Sequence, residues 1–191
     1  PDAININAGE HIILRSSNNA NDTKFPNFTF TGKVNISGNI MSLIDNGACE
    51  ATKIPSNFCF SALFLSATES NYIKDAKNLI LPATDLTPYC YTSMFKNCIG
   101  LISCPTILPA TDLTGMKSCY KEMFWNCTNL TMAPYIQAKK LNSSSGCFEQ
   151  MFYKCSKLNE IKIDYTGQFS TSYFMSWVTD VSPTGKFYYN G

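Results

Sequence analysis

The sequence predicts an α/β fold made of stacked repeats, and three observations carry that expectation. The pattern Cys-aromatic-x-x-Met-Phe-x-x-Cys begins at Cys90, Cys119 and Cys147, at intervals of 29 and 28 residues. The octapeptide ILPATDLT occurs verbatim at residues 80–87 and again at 107–114, in register with the first motif. A worn copy, CFSALFLSA, begins at Cys59, with Leu63-Phe64 in place of Met-Phe and Ala67 in place of the second Cys. Self-similarity at a fixed period of this length is the mark of a repeat architecture.

Each element follows in order. Residues 1–48 alternate apolar and polar side chains, as at Ile4/Ile6, Phe28/Phe30 and Val34/Ile36, with Asn, Gly and Ser between them. That pattern predicts strands joined by turns, a β-rich N-terminal cap over the open end of the stack. Residues 49–165 hold about four units. In the unit at 90–98 the apolar positions are 90, 91, 94, 95 and 98, which predicts a short helix with one broad buried face. Thr92, Ser93, Lys96 and Asn97 form its wet side. Two helical turns do not persist alone, so the helix must lean on its neighbours. After the second Cys, Leu101, Leu130 and Leu158 each open a predicted short strand. Pro105 and Pro134 donate no backbone hydrogen bond and are expected to end its ladder. A strand, an extended segment and a short helix in roughly 28 residues fall within the leucine-rich-repeat size range, and such units stack as a solenoid. Residues 166–191 read as a C-terminal capping segment: a last short helix, a Ser-Pro-Thr-Gly turn and a closing strand.

Composition narrows the function. A chain of 191 residues is long enough for one domain with a real core. Charged residues at 15% beside 45% apolar content exclude a disordered chain. A net charge of +1 provides no field for nucleic acid. No apolar run approaches the roughly 18 residues of a membrane span, and no signal peptide is visible. A leader or lipid anchor upstream of PDAININAGE is compatible with the sequence.

The nine cysteines admit four explanations: metal ligands, disulfide partners, redox thiols or packing. Structural zinc sites set ligands two to four residues apart, whereas these pairs are separated by seven residues and, on a helix, by roughly 12 Å. That separation also exceeds the roughly 7 Å Cα limit of a disulfide. Cys49 with Cys59, or Cys104 with a neighbour, stay open to pairing, as secreted chains use such bridges. Small size is what the positions share, since Ala67 and Ala133 stand where other copies carry Cys, so the cysteines are expected to be buried packing residues.

The run Cys-Tyr-x-x-Met-Phe-x-x-Cys-x-x-Leu, with its Ala-Pro-like and LPATDL segments, resembles the BspA-type leucine-rich-repeat surface proteins of anaerobic bacteria. The resemblance covers about residues 35–188, from ISGNIMSLID to SWVTDVSPTGKF. It implies a right-handed βα solenoid, at the cell surface or secreted, and in some members adhesion to host matrix proteins or to other bacteria. It assigns no catalytic residue and no cofactor. The chain departs from the pattern at residues 66–77, SATESNYIKDAK.

Catalysis is not expected. His11, the single histidine, has no visible partner, and Asp85 and Asp112 occupy one place in two copies of a turn, which is turn chemistry. Glu122 and Glu149, the conceivable carboxylate pair, lie at wet positions of neighbouring units. A recognition module is the favoured class, binding a host or bacterial surface protein or glycan as a monomer. The alternative is a structural spacer without a ligand. Two candidate surfaces follow from the repeat. The seventh position of each motif gives the column Leu65, Lys96, Trp125 and Tyr153, where exposed aromatic rings would mark a contact site. The opposing explanation is that Trp125 and Tyr153 fold onto the neighbouring unit and finish the core. The strand side offers Ile102/Ser103, Thr131/Met132 and Asn159/Glu160, with Tyr135 and Lys162 nearby.

Overall fold

The computed structural model describes residue 7 and residues 9–15, 24–141 and 146–190. The Ile4/Ile6 alternation lies outside the described residues.

The apolar spacing i, i+1, i+4, i+5, i+8 repeats every four residues without drift, while an α-helix repeats every 3.6. The backbone follows the period of four. Tyr89, Ser93 and Asn97 have φ of 62°, 55° and 64°, and Ser118, Glu122 and Asn126 repeat the same left-handed conformation one copy later. A left-handed residue costs roughly 1–2 kcal/mol and cannot continue a right-handed helix. It does suit the third position of a type II turn, which is where Tyr89, Ser93 and Asn97 stand in the turns 87–90, 91–94 and 95–98.

Hydrogen bonding supplies the compensation. The N–H groups of Cys90, Thr92, Met94, Lys96 and Cys98 close turns by donating three residues back, at 3.1–3.3 Å. The intervening N–H groups of Tyr91, Ser93, Phe95 and Asn97 point out of the ribbon and donate to Cys119, Lys121, Met123 and Trp125 carbonyls of the next copy, at 2.8–3.0 Å. Tyr120, Glu122, Phe124 and Asn126 donate in the same way to Cys147, Glu149, Met151 and Tyr153. Backbone donors in a buried segment must find acceptors, and here half find them within a copy and half in the next one.

Side chains between the copies form two columns of rings. One runs Phe25, Phe60, Tyr91, Tyr120, Phe148, Phe174, with successive centroids 5.2–5.8 Å apart. The other runs Phe28, Phe64, Phe95, Phe124, Phe152, Trp177, at 5.2–6.1 Å. Met94, Met123 and Met151, the partners of Phe in each motif, are fully buried in the same core.

Short parallel strands make up the other side of the molecule. β1 (Val34–Asn35) pairs with β3 (Ile73–Asp75), and β2 (Gly38–Asn39) with β4 (Leu79–Ile80). β5 (Ile107–Leu108), β6 (Tyr135–Ile136), β7 (Glu160–Ile163) and β8 (Lys186–Tyr189) form a four-stranded sheet in that order. Strands opening at Leu101 and Leu130 do not form: those segments hold only the isolated bridges Asp75 to Ser103 and Met132 to Glu160. Pro105 and Pro134 interrupt the ladder, and it resumes after them as β5 and β6.

These findings overturn the expected fold class. Among the described residues there is no leucine-rich-repeat right-handed βα solenoid with a β-rich N-terminal cap and an irregular C-terminal cap. Among the described residues α-helix is confined to the four residues of α1 (Thr171–Phe174), and strands of two to four residues lie in small parallel sheets. The helix expectation failed because a four-residue turn period and a helical stripe share most positions over nine residues. Before β1, residues 24–30 form no strand; Phe25 and Phe28 donate to Cys59 and Leu63 carbonyls and start the ring columns.

The irregular stretch 66–77 crosses close to Gly100, where an added Cβ would lie 2.8 Å from the backbone of Asn71. Glycine is required there by contact. Beyond α1, the chain turns through Ser182 to Gly185 and ends its last strand at Tyr189.

The Tyr91 hydroxyl is buried without a partner, while Phe60 and Phe148 occupy the same column. An unmet buried hydroxyl costs about 1–3 kcal/mol. Tyr91→Phe should therefore stabilise the protein by about 1 kcal/mol, seen in calorimetry as a higher melting temperature; a lower one would show that the hydroxyl is bonded.

Candidate functional site

The repeated cysteines sit where the turn ribbon meets the core. Eight of the nine thiols are buried and Cys49 is exposed; none is joined in a disulfide. The second cysteine of each motif does more than fill space. Cys98, Cys127 and Cys155 donate S–H to the carbonyls of Phe64, Phe95 and Phe124 in the preceding copy, at 3.3, 3.1 and 3.0 Å. Ala67, at the sequence position of the second Cys in the worn copy, is exposed and stands outside this column, so small size alone does not define it. Ala133 is half-buried against the core. Burial pushes the thiols of Cys59, Cys90, Cys98 and Cys155 up to about 12 from an ordinary 9.0. Desolvation raises Cys104, Cys119 and Cys127 as well. Such groups stay protonated near neutrality, and a protonated thiol is neither a nucleophile nor a ligand. Among the described residues no group of three His, Cys, Asp or Glu is placed to hold a metal ion.

The carboxylates are engaged as well. Glu122 accepts from Lys96 Nζ at 2.6 Å and from Ser93 Oγ at 3.1 Å, and Glu149 accepts from Lys121 Nζ at 2.8 Å. Asp85 and Asp112 pair with Lys53 and Lys140 at 3.6 and 3.3 Å on the surface, and Asp112 also accepts the Thr114 N–H. Those bonds, the Thr114 N–H first, hold the Asp112 carboxyl below its usual range. His11 is exposed.

The seventh-position column closes on itself. Trp125 and Tyr153 stack with centroids 5.8 Å apart and planes at 13°. Lys96 Nζ lies 4.7 Å from the Trp125 ring centre, and Lys154 Nζ lies 5.7 and 5.5 Å from the Trp125 and Tyr153 centres. A sugar or flat ligand binds an indole by its open face, and here Tyr153 and Lys96 cover Trp125. All four members, Leu65 included, are half-buried.

The strand side is open. Ile107 and Tyr135 are register partners on β5 and β6, while the next residues, Leu108 and Ile136, point into the core. Lys162 Nζ sits 4.4 Å over the Tyr135 ring, and the Tyr135 hydroxyl donates to Asp164 at 2.6 Å. That bond raises the Tyr135 hydroxyl above its ordinary value. Met132 bridges to Glu160, and Glu160 pairs with Lys186. Thus Met132, Tyr135, Glu160 and Lys162 share one face. Glu160 and Lys162 also line a shallow groove with Phe187, Tyr188, Tyr189 and Asn190. Ile80, Ile102 and Met132 are 53–54% exposed and Ile107 44%, so aliphatic surface runs along this side. Sequence reasoning missed Ile80, Ile107 and Tyr188. The signal was the apolar run Leu79-Ile80-Leu81 and its copy at Ile107-Leu108: successive residues of a strand face opposite ways, so one of each neighbouring pair must point outward.

Comparison of the chain with family models, curated proteins and solved structures finds no match in any of the three.

The thiols supply a test. In the native protein at pH 8, DTNB should titrate one thiol, Cys49, and in denaturant all nine. The unfolded chain ionises its thiols near 9.0 while the folded chain holds them protonated up to about 12. Folding stability should therefore be at its full value below pH 9 and fall as pH rises from there toward 12, since the unfolded state releases protons first. Urea melts across that range would show the fall; a flat profile would contradict thiol burial.

Proposed function

We propose that the chain is a non-catalytic recognition module, cell-surface or secreted, that binds a surface protein through the open side of its parallel sheets. The observation that carries this reading is that Ile80, Ile102, Ile107 and Met132 are exposed on the strand side, while Leu79, Leu108 and Ile136 of the same strands as Ile80, Ile107 and Tyr135 are buried. Exposed apolar surface among polar residues marks an interaction site, and Lys74, Glu160, Lys162 and Lys186 stand on strands β3, β7 and β8 of the same side. Open aliphatic side chains favour a protein over a glycan, since the one stacked indole column has its faces covered. Pairing of Glu122 and Glu149 with lysines, and protonated buried thiols, support a role without catalysis. The likeness of the Cys-Tyr-x-x-Met-Phe-x-x-Cys motif to BspA-type surface proteins supports the location and an adhesin-like role. Among the described residues no helix is long and apolar enough to cross a membrane.

The test is a binding panel of immobilised matrix proteins, bacterial surface proteins and glycans. Ile102→Ser, Ile107→Ser and Met132→Ser combined should weaken a protein ligand at least tenfold and leave the melting temperature nearly unchanged, because exposed substitutions alter stability by about 0.5 kcal/mol or less. Trp125→Ala should retain binding while losing about 1 kcal/mol of stability with its stacking. Binding that survives the triple substitution overturns the sheet-side reading, and silence across the whole panel favours the spacer.

A further inference from the structure

The motif cysteines stand in two columns, and one pair in them differs from the rest. The Tyr120 N–H donates to the Cys147 carbonyl at 3.1 Å, which sets Cys119 opposite Cys147 on neighbouring ribbons. The rings that follow them, Tyr120 and Phe148, stack with centroids 5.8 Å apart and planes at 11°. Residues opposite each other on parallel main chains lie roughly 4.8 Å apart, inside the roughly 4.4–6.8 Å Cα window of a disulfide. Spacing alone does not single the pair out, since Cys59, Cys90 and Cys119 follow one another in the same register. The bonding of the sulfurs does. Cys98, Cys127 and Cys155 aim their S–H groups at main-chain carbonyls. Cys59 is bonded to the Ser56 side chain, and Cys90 to the main chain at Thr87. Among the described motif cysteines only Cys119 bonds a second thiol: its S–H donates to the sulfur of Cys147, whose own S–H donates to the Met116 carbonyl at 2.6 Å. The two sulfurs are therefore in contact, and both residues are fully buried.

We propose that Cys119 and Cys147 are an oxidation site, a dithiol that a low-molecular-weight disulfide converts to a cystine joining the third and fourth copies of the ribbon. The chemistry balances in two exchanges. The thiolate of one cysteine attacks the small disulfide, forms a mixed disulfide and releases one small thiolate. The thiolate of the other cysteine then attacks the protein sulfur of that mixed disulfide, closes the S–S bond and displaces the second small thiolate. Two electrons pass from the cysteines to the reagent, and the two cysteine protons end on the small thiols released. Burial decides when this takes place. In the closed stack desolvation and the bond to Cys147 hold the Cys119 thiol protonated, and a protonated thiol does not attack. Exchange therefore belongs to the chain before the fourth ribbon docks on the third, where the thiols ionise near their ordinary 9.0. Docking selects among the bonds formed there. A cystine between Cys119 and Cys147 fits the register and is buried out of reach of reducing thiols, whereas a mismatched bond holds the ribbons apart and stays open to exchange. The secreted or surface location proposed above is where such a bond persists. The site needs no ligand and is separate from the sheet side, so either assignment stands without the other.

The test uses the full chain with Cys49→Ser, which removes the exposed thiol and with it mixed disulfides on the folded surface. The reduced, unfolded protein is refolded in equimolar reduced and oxidised glutathione, and in parallel under full reduction. Remaining thiols are alkylated in denaturant, and linked peptides are mapped by mass spectrometry. The expected product has two of the eight buried thiols joined, Cys119 to Cys147, and the other six alkylated. Its melting temperature should exceed that of the reduced protein by about 5–10 °C, because the bond closes a loop of 28 residues in the unfolded chain. Cys119→Ala should abolish both the link and the temperature difference, and Cys90→Ala should keep both; if Cys119→Ala fails to fold, the peptide map of the parent protein decides alone. A predominant link elsewhere, such as Cys90 to Cys119 or Cys127 to Cys155, eight alkylated thiols after refolding with glutathione, or an equal or lower melting temperature in the bonded form would each overturn the proposal.

Discussion

A backbone that turns every four residues leaves half of its N–H groups facing sideways, and they can be satisfied only by a second ribbon of the same shape laid alongside. That constraint governs the rest of the molecule. A single copy cannot fold by itself, since Tyr91, Ser93, Phe95 and Asn97 would each keep an unpaired donor. The left-handed conformations at Ser93 and Asn97 are unfavourable in isolation and persist because the flanking copies hold both sides of each turn. The near identity of the copies follows: equal spacing along the ribbon is needed for four consecutive bonds to form, and an insertion in one copy would put every later donor out of register.

The ring columns and thiols belong to the same arrangement. Two copies joined by main-chain bonds approach closely enough for rings at equivalent positions to lie 5–6 Å apart, face to face and offset. The S–H of Cys127 and Cys155 reaches back to the Phe95 and Phe124 carbonyls, which already close turns, and that of Cys98 to the Phe64 carbonyl, so a Ser would fit the bond but bring a more strongly hydrated group into a dry site. Cysteine combines a weak donor with an apolar body, which accounts for its recurrence at a position without nucleophilic or metal chemistry.

The repeat itself was legible in the sequence, because the copies at Cys90, Cys119 and Cys147 share both Cys positions, an aromatic after the first and the Met-Phe pair. The conformation of the copy was not. Positions 90, 91, 94, 95 and 98 fit a broad helical face and a four-residue turn about equally, because nine residues are too few for the drift between a 3.6-residue and a four-residue period to show. The strand side was read one step early: Leu101 and Leu130 are core anchors, and pairing resumes only after Pro105 and Pro134. Of the candidate site residues, Met132, Tyr135, Glu160 and Lys162 do share a face. Trp125 was legible as an aromatic out of place on a polar row, but the covering of its face by Lys96 depends on which rotamers the salt bridge to Glu122 selects, and spacing alone does not encode that.

The ladder of bonds between copies also sets how the chain would yield to tension. Residues 24–30 lie at one end of the pile and residues 173–179, which accept from Phe148 to Lys154, at the other, so a pull between them loads the rungs along their own axis. Rungs loaded in that direction come apart one after another, the outermost first, because each lies almost entirely between two neighbours. A copy contributes roughly 4.8 Å of height while docked and, once drawn straight, roughly 95 Å of contour for its ~28 residues. Each release thus lengthens the tether about twentyfold locally and lowers the load on what stays folded, the behaviour of a shock absorber.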